Sequence, residues 1–224
     1  MQKTFVYGAR GHGKVVADIL LACNDATFAG FVDDSPGLQG THVLGLPVLG
    51  NGRWLEEEIR KVRAIVALGV GDNYIRQQLA ENCLAWGAEL ATLIHPAASV
   101  SSSAQLGAGT VVMAQAAVNP NARIGRGSIV NTGAIVEHDV VIGDYAHVAP
   151  NATMGGASSL GDYSFLALNA VVLQCVGIGS HSVIGAGSVA VRNIPDHVVA
   201  YGVPARIRRD SGARAHAAHE STRG

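Results

Sequence analysis

The sequence has little net charge and few aromatic residues. Its formal net charge is −1 over 224 residues, and this balance favours neither a nucleic-acid partner nor an anionic membrane surface. Phe, Trp and Tyr make up only 5% of the residues, whereas Gly alone occurs 28 times. A chain so poor in aromatic side chains suits a narrow, regular core better than a broad globular one.

Cysteines and long apolar runs are also scarce. Cys23, Cys83 and Cys175 lack metal-ligand spacing, so we expect three reduced thiols and no metal site. The first residues, MQKTFVYGARGHGK, contain no apolar signal-peptide core, and no run of about 18 apolar residues occurs in the sequence. We therefore expect a cytoplasmic protein without a transmembrane helix.

A six-residue repeat occupies the second half of the chain. An aliphatic residue or Met recurs at every sixth position from Ile94 to Ile184, and a small or slim side chain follows each by four residues, from Ala98 to Ser188. We expect each unit to supply one short strand and one turn, with both of these side chains pointing inward. Three units then form one triangular coil, and stacked coils pair as parallel strands about 4.8 Å apart. A β-sandwich would instead alternate with a period of two.

The first 91 residues follow a different pattern, in which predicted strands (3–7, 27–32, 62–68, 89–93) alternate with predicted helices (14–23, 53–61, 73–86). This alternation predicts a small parallel, Rossmann-like sheet. The loop after the first strand has the spacing G-x-x-G-x-G, so backbone N–H groups can approach a phosphate. It is not the dinucleotide fingerprint G-x-G-x-x-G, and a tight structural turn would also explain it. Together with Asp33 and Asp34 after the second strand, it favours a nucleotide-sugar site.

Several segments of the chain resemble one family in combination: YGARGHGKVVADIL, FVDDS, VALGVGDNYIR, LIHPAA, VNTGAIVEHDVVIGDYAHVAPNA and YGVPARI. They are similar to bacterial nucleotide-amino-sugar N-acetyltransferases of the PglD type and to NeuD-type sialic acid O-acetyltransferases, over residues 3–207. The resemblance implies a nucleotide-sugar-binding α/β domain at 1–91 and a left-handed parallel β-helix of hexapeptide repeats at 92–207. It further implies that acetyl-CoA binds between the subunits of a homotrimer. Residues 208–224 remain as a tail without an assigned function.

A proton acceptor is required for acetyl transfer to an amine, and His138 is the candidate. It follows the inward Val136 by two residues, so we expect it to face outward, and the adjacent Asp139 can fix the imidazole tautomer. The resemblance implies the same role for this pair, with Glu as the common variant of the acid. It also places Asn131 near the amino group of the sugar and implies acetyl-CoA contacts for four residues: His147, Gly156, Leu168 and Ala186.

For the nucleotide, the resemblance implies three phosphate-loop residues, two residues at the base and ribose, and one glycine: Arg10, Gly11, His12, Asp33, Asp34 and Gly71. Many relatives have Ser or Gly where Arg10 stands, and an Arg there could add a diphosphate contact or alter which nucleotide fits.

Three functions remain open from the sequence. The first is N-acetylation of a 4-amino sugar on a nucleotide diphosphate, for surface glycan or glycoprotein sugar synthesis. The second is O-acetylation of a sugar acid such as sialic acid. The third is a non-enzymatic role, in which the β-helix serves as an oligomeric scaffold.

Overall fold

Residues 2–212 are described by a computed structural model, and they form an α/β part followed by a β-helix. The α/β part contains β1 (Gln2–Tyr7), α1 (Gly11–Ala22), β2 (Phe28–Val32), β3 (His42–Val43), β4 (Leu46–Gly50), α2 (Gly52–Ile59), β5 (Arg63–Leu68), α3 (Asn73–Trp86) and β6 (Glu89–Leu90). Its strand order is β3-β4-β2-β1-β5-β6, and every pairing is parallel except that of β3 with β4. The predicted parallel sheet is therefore confirmed.

The hairpin of β3 and β4 was not predicted from the sequence. Its second strand, LPVLG, contains a proline and ends in a glycine, and both residues argue against a strand inside a sheet. Pro47 pairs with His42 in the antiparallel hairpin, while Val48 in the same strand pairs with Phe31 of β2. The hairpin thus extends the sheet beyond β2, with β3 as the edge strand.

Capping residues set the limits of the helices. The Asp72 side chain accepts hydrogen bonds from the backbone N–H groups of Tyr74 and Ile75, at 3.0 and 2.9 Å, and begins α3. Gly87, in the left-handed conformation, ends it. The side chain of Asn51 accepts from the backbone N–H of Trp54 and begins α2.

The β-helix contains seventeen two-residue strands and two longer ones at its end. They are β7 (Leu93–Ile94), β8 (Ser99–Val100), β9 (Gln105–Leu106), β10 (Val111–Val112), β11 (Ala117–Val118), β12 (Arg123–Ile124), β13 (Ile129–Val130), β14 (Ile135–Val136), β15 (Val141–Ile142), β16 (His147–Val148), β17 (Thr153–Met154), β18 (Ser159–Leu160), β19 (Phe165–Leu166), β20 (Val171–Val172), β21 (Gly177–Ile178), β22 (Val183–Ile184), β23 (Val189–Ala190), β24 (Val198–Tyr201) and β25 (Arg206–Asp210).

These strands form three faces of a triangular prism. Face one contains β7, β10, β13, β16, β19, β22, β24 and β25; face two contains β8, β11, β14, β17, β20 and β23; face three contains β9, β12, β15, β18 and β21. Turns such as 131–134 form the edge between faces one and two, and turns such as 137–140 form the edge between faces two and three. Turns such as 143–146 form the edge between faces three and one. We call them the 1–2, 2–3 and 3–1 edges.

The interior of the prism confirms the predicted register. Every sixth residue from Val112 to Ile184 is at most 4% exposed, and the small residues from Thr110 to Ser188 are at most 8% exposed. Ile94 is 40% exposed, since no coil precedes it in the stack. The small series often carries a hydroxyl: Ser128 Oγ donates to the carbonyl oxygen of Gly143 at 2.8 Å, for example. Such bonds link successive coils inside the core.

Glycine directly follows the inward aliphatic residue or Met at positions 107, 125, 143, 155, 161, 179 and 185. A Cβ at Gly125 would lie 2.5 Å from the backbone carbonyl carbon of Gly143 in the next coil, and one at Gly161 would lie equally close to the nitrogen of Ser180. Close coil stacking therefore requires glycine there. The left-handed φ angles occur two residues later, and non-glycine residues such as Tyr145 (φ 52°) and Tyr163 (φ 57°) adopt them.

The chain beyond residue 207 continues the fold. β25 pairs antiparallel with β24 and crosses the expected boundary between residues 207 and 208, so it belongs to face one. Residues 213–224, the rest of the expected tail, lie outside the described part of the chain. Within residues 2–212, no helix is long and apolar enough to cross a membrane.

Candidate active site

A buried arginine fixes the α/β part to the β-helix. Arg76 on α3 is 0% exposed, and its Nε donates to the carbonyl oxygen of Gly127 at 2.6 Å. Its Nη2 donates to Asn73 Oδ1 at 2.7 Å and to the carbonyl oxygen of Tyr145 at 3.0 Å. Asn73 Nδ2 donates in turn to the carbonyl oxygen of Tyr163 at 3.0 Å. The helix α3 therefore bonds to three successive coils.

Burial lowers the pKa of Arg76 to about 9, so the guanidinium still carries its charge at neutral pH. Arg76 is the last residue of the segment VALGVGDNYIR, and no role was predicted for it from the sequence. The sequence gives little indication of this role, since it does not distinguish a buried arginine on a helix from a solvent-exposed one.

A column of stacked rings supports the same contact. Tyr74 of α3 stacks on Tyr163 with ring centroids 5.3 Å apart, and its hydroxyl bonds to His181 Nδ1 at 2.8 Å. Tyr163 also stacks on Tyr145 and His181, which occupy equivalent places of neighbouring coils on the 3–1 edge. Burial and then the nearby His197 lower the pKa of His181. Rings from both parts of the molecule thus form one continuous stack.

His138 and Asp139 lie on the 2–3 edge, between β14 and β15. His138 Nδ1 and Asp139 Oδ2 are 2.8 Å apart, and the two side chains are 61% and 53% exposed. The hydrogen bond with His138, and then one from Asn121, hold the pKa of the Asp139 carboxyl below its usual range. A carboxylate bonded at Nδ1 leaves Nε2 of the imidazole as the atom that can take a proton.

Gly156 lies directly beneath the imidazole of His138, one coil further along. A Cβ at Gly156 would meet Nε2 of His138 at 2.5 Å and Cε1 at 2.6 Å. The ring therefore occupies the space that any other residue at position 156 would fill. The structure brings His138, Asp139 and Gly156 together in one chain, as three neighbours on the 2–3 edge.

Asn131, Leu168 and Ala186 belong to another edge. They lie on turns of the 1–2 edge, and His147 lies on β16 of face one. Asn131 Nδ2 and His147 Nε2 are 3.0 Å apart. His147 is only 9% exposed, and its ring contacts Phe165 edge to face. Face two separates these residues from His138, so a single chain does not bring the two groups together.

The glycine loop opens onto the first turn of α1. Arg10 and Gly11 are exposed, and Arg10 Nη2 donates to Ser35 Oγ at 3.1 Å. The residue at the N-cap, Arg10, makes no side-chain capping bond, so the first N–H groups of α1 point at the loop opening. A Cβ on Gly11 or on Gly71 would meet no atom within 4 Å. Space for a ligand is therefore present at both glycines.

The two aspartates after β2 already accept hydrogen bonds from the protein. Asp33 accepts from the backbone N–H groups of Ala9 and Ser35, each at 2.8 Å. Asp34 accepts from the Tyr7 hydroxyl and from the backbone N–H of Gly52, again at 2.8 Å. Both carboxylates therefore fix the loops around the opening, in addition to the nucleotide contact that the resemblance implies.

His12 differs most from its expected place. Its ring lies near that of His147, with ring centroids 6.3 Å apart. Its Nε2 is buried and has no hydrogen-bond partner among residues 2–212. Burial and the charge of Arg76 lower its pKa to about 3, so the imidazole is neutral. His12 thus lies close to both the loop and face one, and its contact with the nucleotide phosphate stays a prediction.

No metal centre is visible in the part of the chain that the structure describes, where no three His, Cys, Asp or Glu side chains are grouped to hold an ion.

Comparisons with known proteins match both parts of the chain. Residues 3–83 match the family model described as the PglD N-terminal domain, and residues 121–156 match the model of the bacterial transferase hexapeptide with six repeats. A curated relative, UDP-N-acetylbacillosamine N-acetyltransferase of Bacillus subtilis (strain 168), is 38% identical over 122 residues. That alignment covers 51% of this chain and 52% of the relative, so the chain spans about half the length of this curated relative.

Two solved structures cover almost the whole fold. One is a histidine-to-asparagine mutant of perosamine N-acetyltransferase from Caulobacter crescentus in complex with CoA and GDP-perosamine. It is 39% identical, with a TM-score of 0.88 over 93% of this chain and 97% of that one. Another is the acetyltransferase domain of PglB from Neisseria gonorrhoeae FA1090 in complex with acetyl coenzyme A. It is also 39% identical, with a TM-score of 0.86 over 92% of this chain and 98% of that one.

These likenesses confirm the left-handed β-helix and the resemblance drawn from the sequence. The chain belongs to the PglD-type family of hexapeptide-repeat nucleotide-sugar N-acetyltransferases.

Proposed function

We propose that this protein transfers the acetyl group of acetyl-CoA to the 4-amino group of a nucleotide-diphosphate-linked sugar, as a cytoplasmic enzyme of glycan sugar synthesis. The observation that carries the proposal is the bonded pair of His138 and Asp139, with the Nε2 edge of the ring over Gly156. The family membership and relatives that hold CoA, acetyl-CoA or GDP-perosamine support the choice of donor and acceptor.

In the proposed reaction, the amino nitrogen of the sugar attacks the thioester carbonyl carbon of acetyl-CoA. His138 Nε2 takes the proton from the nitrogen as the new C–N bond forms. The C–S bond then breaks, the amide is released, and the proton passes to the thiolate of CoA. Asp139 stabilises the imidazolium and fixes the tautomer, and the backbone N–H of Gly156 is the proposed donor to the thioester oxygen.

The nucleotide site in this proposal is the opening beside α1. The first N–H groups of α1 would receive the diphosphate, because the N-terminus of a helix favours an anion. Arg10 lies at the same opening and adds a positive charge. Asp33, Asp34 and Gly71 form its rim, and they are the proposed neighbours of the base and ribose.

We also propose that the working enzyme is a homotrimer whose sites lie between subunits. One subunit would supply His138, Asp139 and Gly156 from its 2–3 edge. The neighbouring subunit would supply the residues of its 1–2 edge and face one: Asn131, His147, Leu168 and Ala186. This arrangement is supported by the separation of the two groups across face two within one chain.

A thiol-release assay with acetyl-CoA and a panel of GDP-, UDP- and dTDP-linked 4-amino sugars, including GDP-perosamine, tests the proposal. We expect CoA release with at least one member, and a loss of about 100-fold or more in kcat for His138→Ala. Near wild-type turnover in His138→Ala would show that another group is the base. CoA release with free sialic acid and with no nucleotide sugar would instead indicate an O-acetyltransferase, and failure of acetyl-CoA to bind in calorimetry would indicate a scaffold.

A further inference from the structure

Asn121, at the equivalent turn position one coil before Asp139, contacts the Asp139 carboxylate. Asn121 lies 18 residues earlier, on the equivalent place of the 2–3 edge, and its Nδ2 donates to Asp139 Oδ1 at 3.2 Å. Asp139 therefore uses one oxygen for His138 and the other for Asn121. Neither the family resemblance nor the proposed reaction assigns a role to this asparagine.

The backbone holds Asn121 firmly in this place. Asn121 and Asp139 both adopt left-handed φ angles, of 62° and 59°, which asparagine and aspartate tolerate better than most residues. The backbone N–H of Asn121 donates to Ser103 Oγ at 3.1 Å, and that of Asp139 donates to the carbonyl oxygen of Pro120 at 3.1 Å. The two side chains thus extend from hydrogen-bonded turns on successive coils, and the coil spacing sets the distance between them.

The orientation of an exposed carboxylate is otherwise weakly determined. The Asp139 side chain is 53% exposed, so water competes for both of its oxygens, and its short side chain can rotate away from the ring. A second hydrogen bond on the far oxygen restricts that rotation. Arg123 also acts on Asp139 through its charge, and the structure gives no hydrogen bond between them among the described residues.

From these contacts we infer that Asn121 is a positioning residue. It holds the Asp139 carboxylate in the rotamer that bonds to His138 Nδ1, and so keeps Nε2 of the neutral ring free to accept a proton. The inference rests on the proposed function for its consequence in catalysis, although its effect on the ring is independent of any substrate.

Two substitutions test the inference in the full-length protein. Asn121→Gly removes the donor and tolerates the left-handed backbone, whereas Asn121→Asp keeps the shape and the backbone preference but presents an acceptor to Asp139. Asn24→Gly is the matched control, because Asn24 has a φ of 53° in an exposed turn after α1. A merely structural role in the turn predicts that Asn121→Asp behaves as the wild type.

The first measurement is the tautomer of His138 in the free protein, from ¹⁵N chemical shifts of labelled histidine assigned with His138→Gln. We expect the Nδ1–H tautomer to dominate in the wild type and in Asn24→Gly, and the Nε2–H tautomer to rise in both Asn121 variants. An unchanged tautomer ratio in Asn121→Asp would overturn the inference.

The second measurement is steady-state kinetics with acetyl-CoA and GDP-perosamine, or the panel sugar with the highest wild-type kcat/KM. We expect kcat to fall roughly 3- to 30-fold in both Asn121 variants, with both KM values within about twofold, since the base is affected and binding is not. A changed tautomer without any wild-type turnover on the panel would refute the proposed reaction and leave the positioning role intact. Unchanged kcat in an active enzyme with a changed tautomer would refute the catalytic consequence.

Discussion

At the scale of single residues, two adjacent glycines should respond differently to the same added methyl group. A Cβ at Gly156 would collide with the side chain of His138, whereas one at Gly155 would lie 2.6 Å from the backbone nitrogen of Gln174. We expect Gly156→Ala to lower kcat about 10- to 100-fold with little change in Tm, because the imidazole must move. We expect Gly155→Ala to lower Tm by several degrees, because the coils must separate.

Thermal denaturation and the thiol-release assay on both variants distinguish these outcomes. Gly37→Ala serves as the control, since a Cβ at Gly37 would meet no atom within 4 Å and should change neither quantity. Equal loss of Tm in Gly155→Ala and Gly156→Ala would show that position 156 matters for coil stacking rather than for the ring.

The candidate site residues differ in how well the sequence could predict them. The outward position of His138 and Asp139 could be predicted because a fixed six-residue register determines which side chains point outward, whereas their role was implied by the resemblance and stays a prediction. Arg76 and Asn121 could not, because their partners in the β-helix lie between 18 and 70 residues away and depend on how the coils stack and where α3 packs. The contact of the His12 ring with His147 also depends on that packing, which the spacing of the glycine loop does not predict.

At the scale of elements, α3 should be held to the β-helix mainly by Arg76. In Arg76→Met, the carbonyl oxygens of Gly127 and Tyr145 would remain buried without their donor. We expect a loss of about 3 kcal/mol or more in the free energy of unfolding, measured by urea denaturation. Limited proteolysis should also cut α3 or its flanking loops faster than in the wild type.

Arg60→Met is the matched control for this element. Arg60 lies just after α2, is 70% exposed at its side chain, and pairs with Glu56 at i,i+4. Removing such a surface pair should change the free energy of unfolding by about 0.5 kcal/mol or less. A similar loss in the two variants would mean that the buried arginine does not fix α3.

Elements with strong periodicity were predictable, and the remaining ones were not. α3 and the inward positions of the repeat follow from spacing alone: the predicted helix 73–86 matches α3, and the thirteen positions from Val112 to Ile184 are buried. The β3–β4 hairpin depends instead on pairing with β2, which overrides the poor strand propensity of Pro47. β25 was likewise assigned to a tail, because a short arginine-rich strand is recognisable only by its antiparallel partner β24.

At the scale of the whole molecule, stability should fall in mild acid, and His12 should cause part of the loss. Its pKa is about 3 in the folded protein, below the ordinary value of 6.5, so the unfolded chain binds more protons between those limits. Stability therefore decreases as the pH falls from about 6.5 towards 3. We expect wild type to lose on the order of 1–2 kcal/mol through this group between pH 7 and pH 5.

Urea denaturation of His12→Gln at both pH values checks this expectation. The variant should lose less stability than the wild type on acidification, whereas His42→Gln, at an exposed position, should lose as much as the wild type. The same pH dependence in all three proteins would show that His12 is not the group responsible.

The proposed trimer predicts complementation between two inactive variants. His138→Ala and Asn131→Ala alter different edges, so in mixed trimers some interfaces would combine an intact 2–3 edge with an intact 1–2 edge. Random mixing of equal amounts should restore roughly a quarter of the wild-type sites. Light scattering on the wild type and the thiol-release assay on co-expressed, purified mixtures measure the two parts of this prediction.

An absence of recovered activity in mixed trimers would place the complete site within one chain. A mass corresponding to a monomer in light scattering would refute the trimer itself.

The hydrogen bonds from α3 to three successive coils also limit how the two parts of such a protein can change position during evolution. Arg76 and Asn73 bond to carbonyl groups that recur once per coil. The α/β part can therefore bind only at positions along the prism that differ by a whole number of coils. A shift of the α/β part by one 18-residue coil relative to His138 would change the distance between them by about 4.8 Å, and no intermediate value is available. The distance between the proposed nucleotide site and the acetyl group can therefore change only by whole coils. An acceptor of a different length must match such a change or bend to fit.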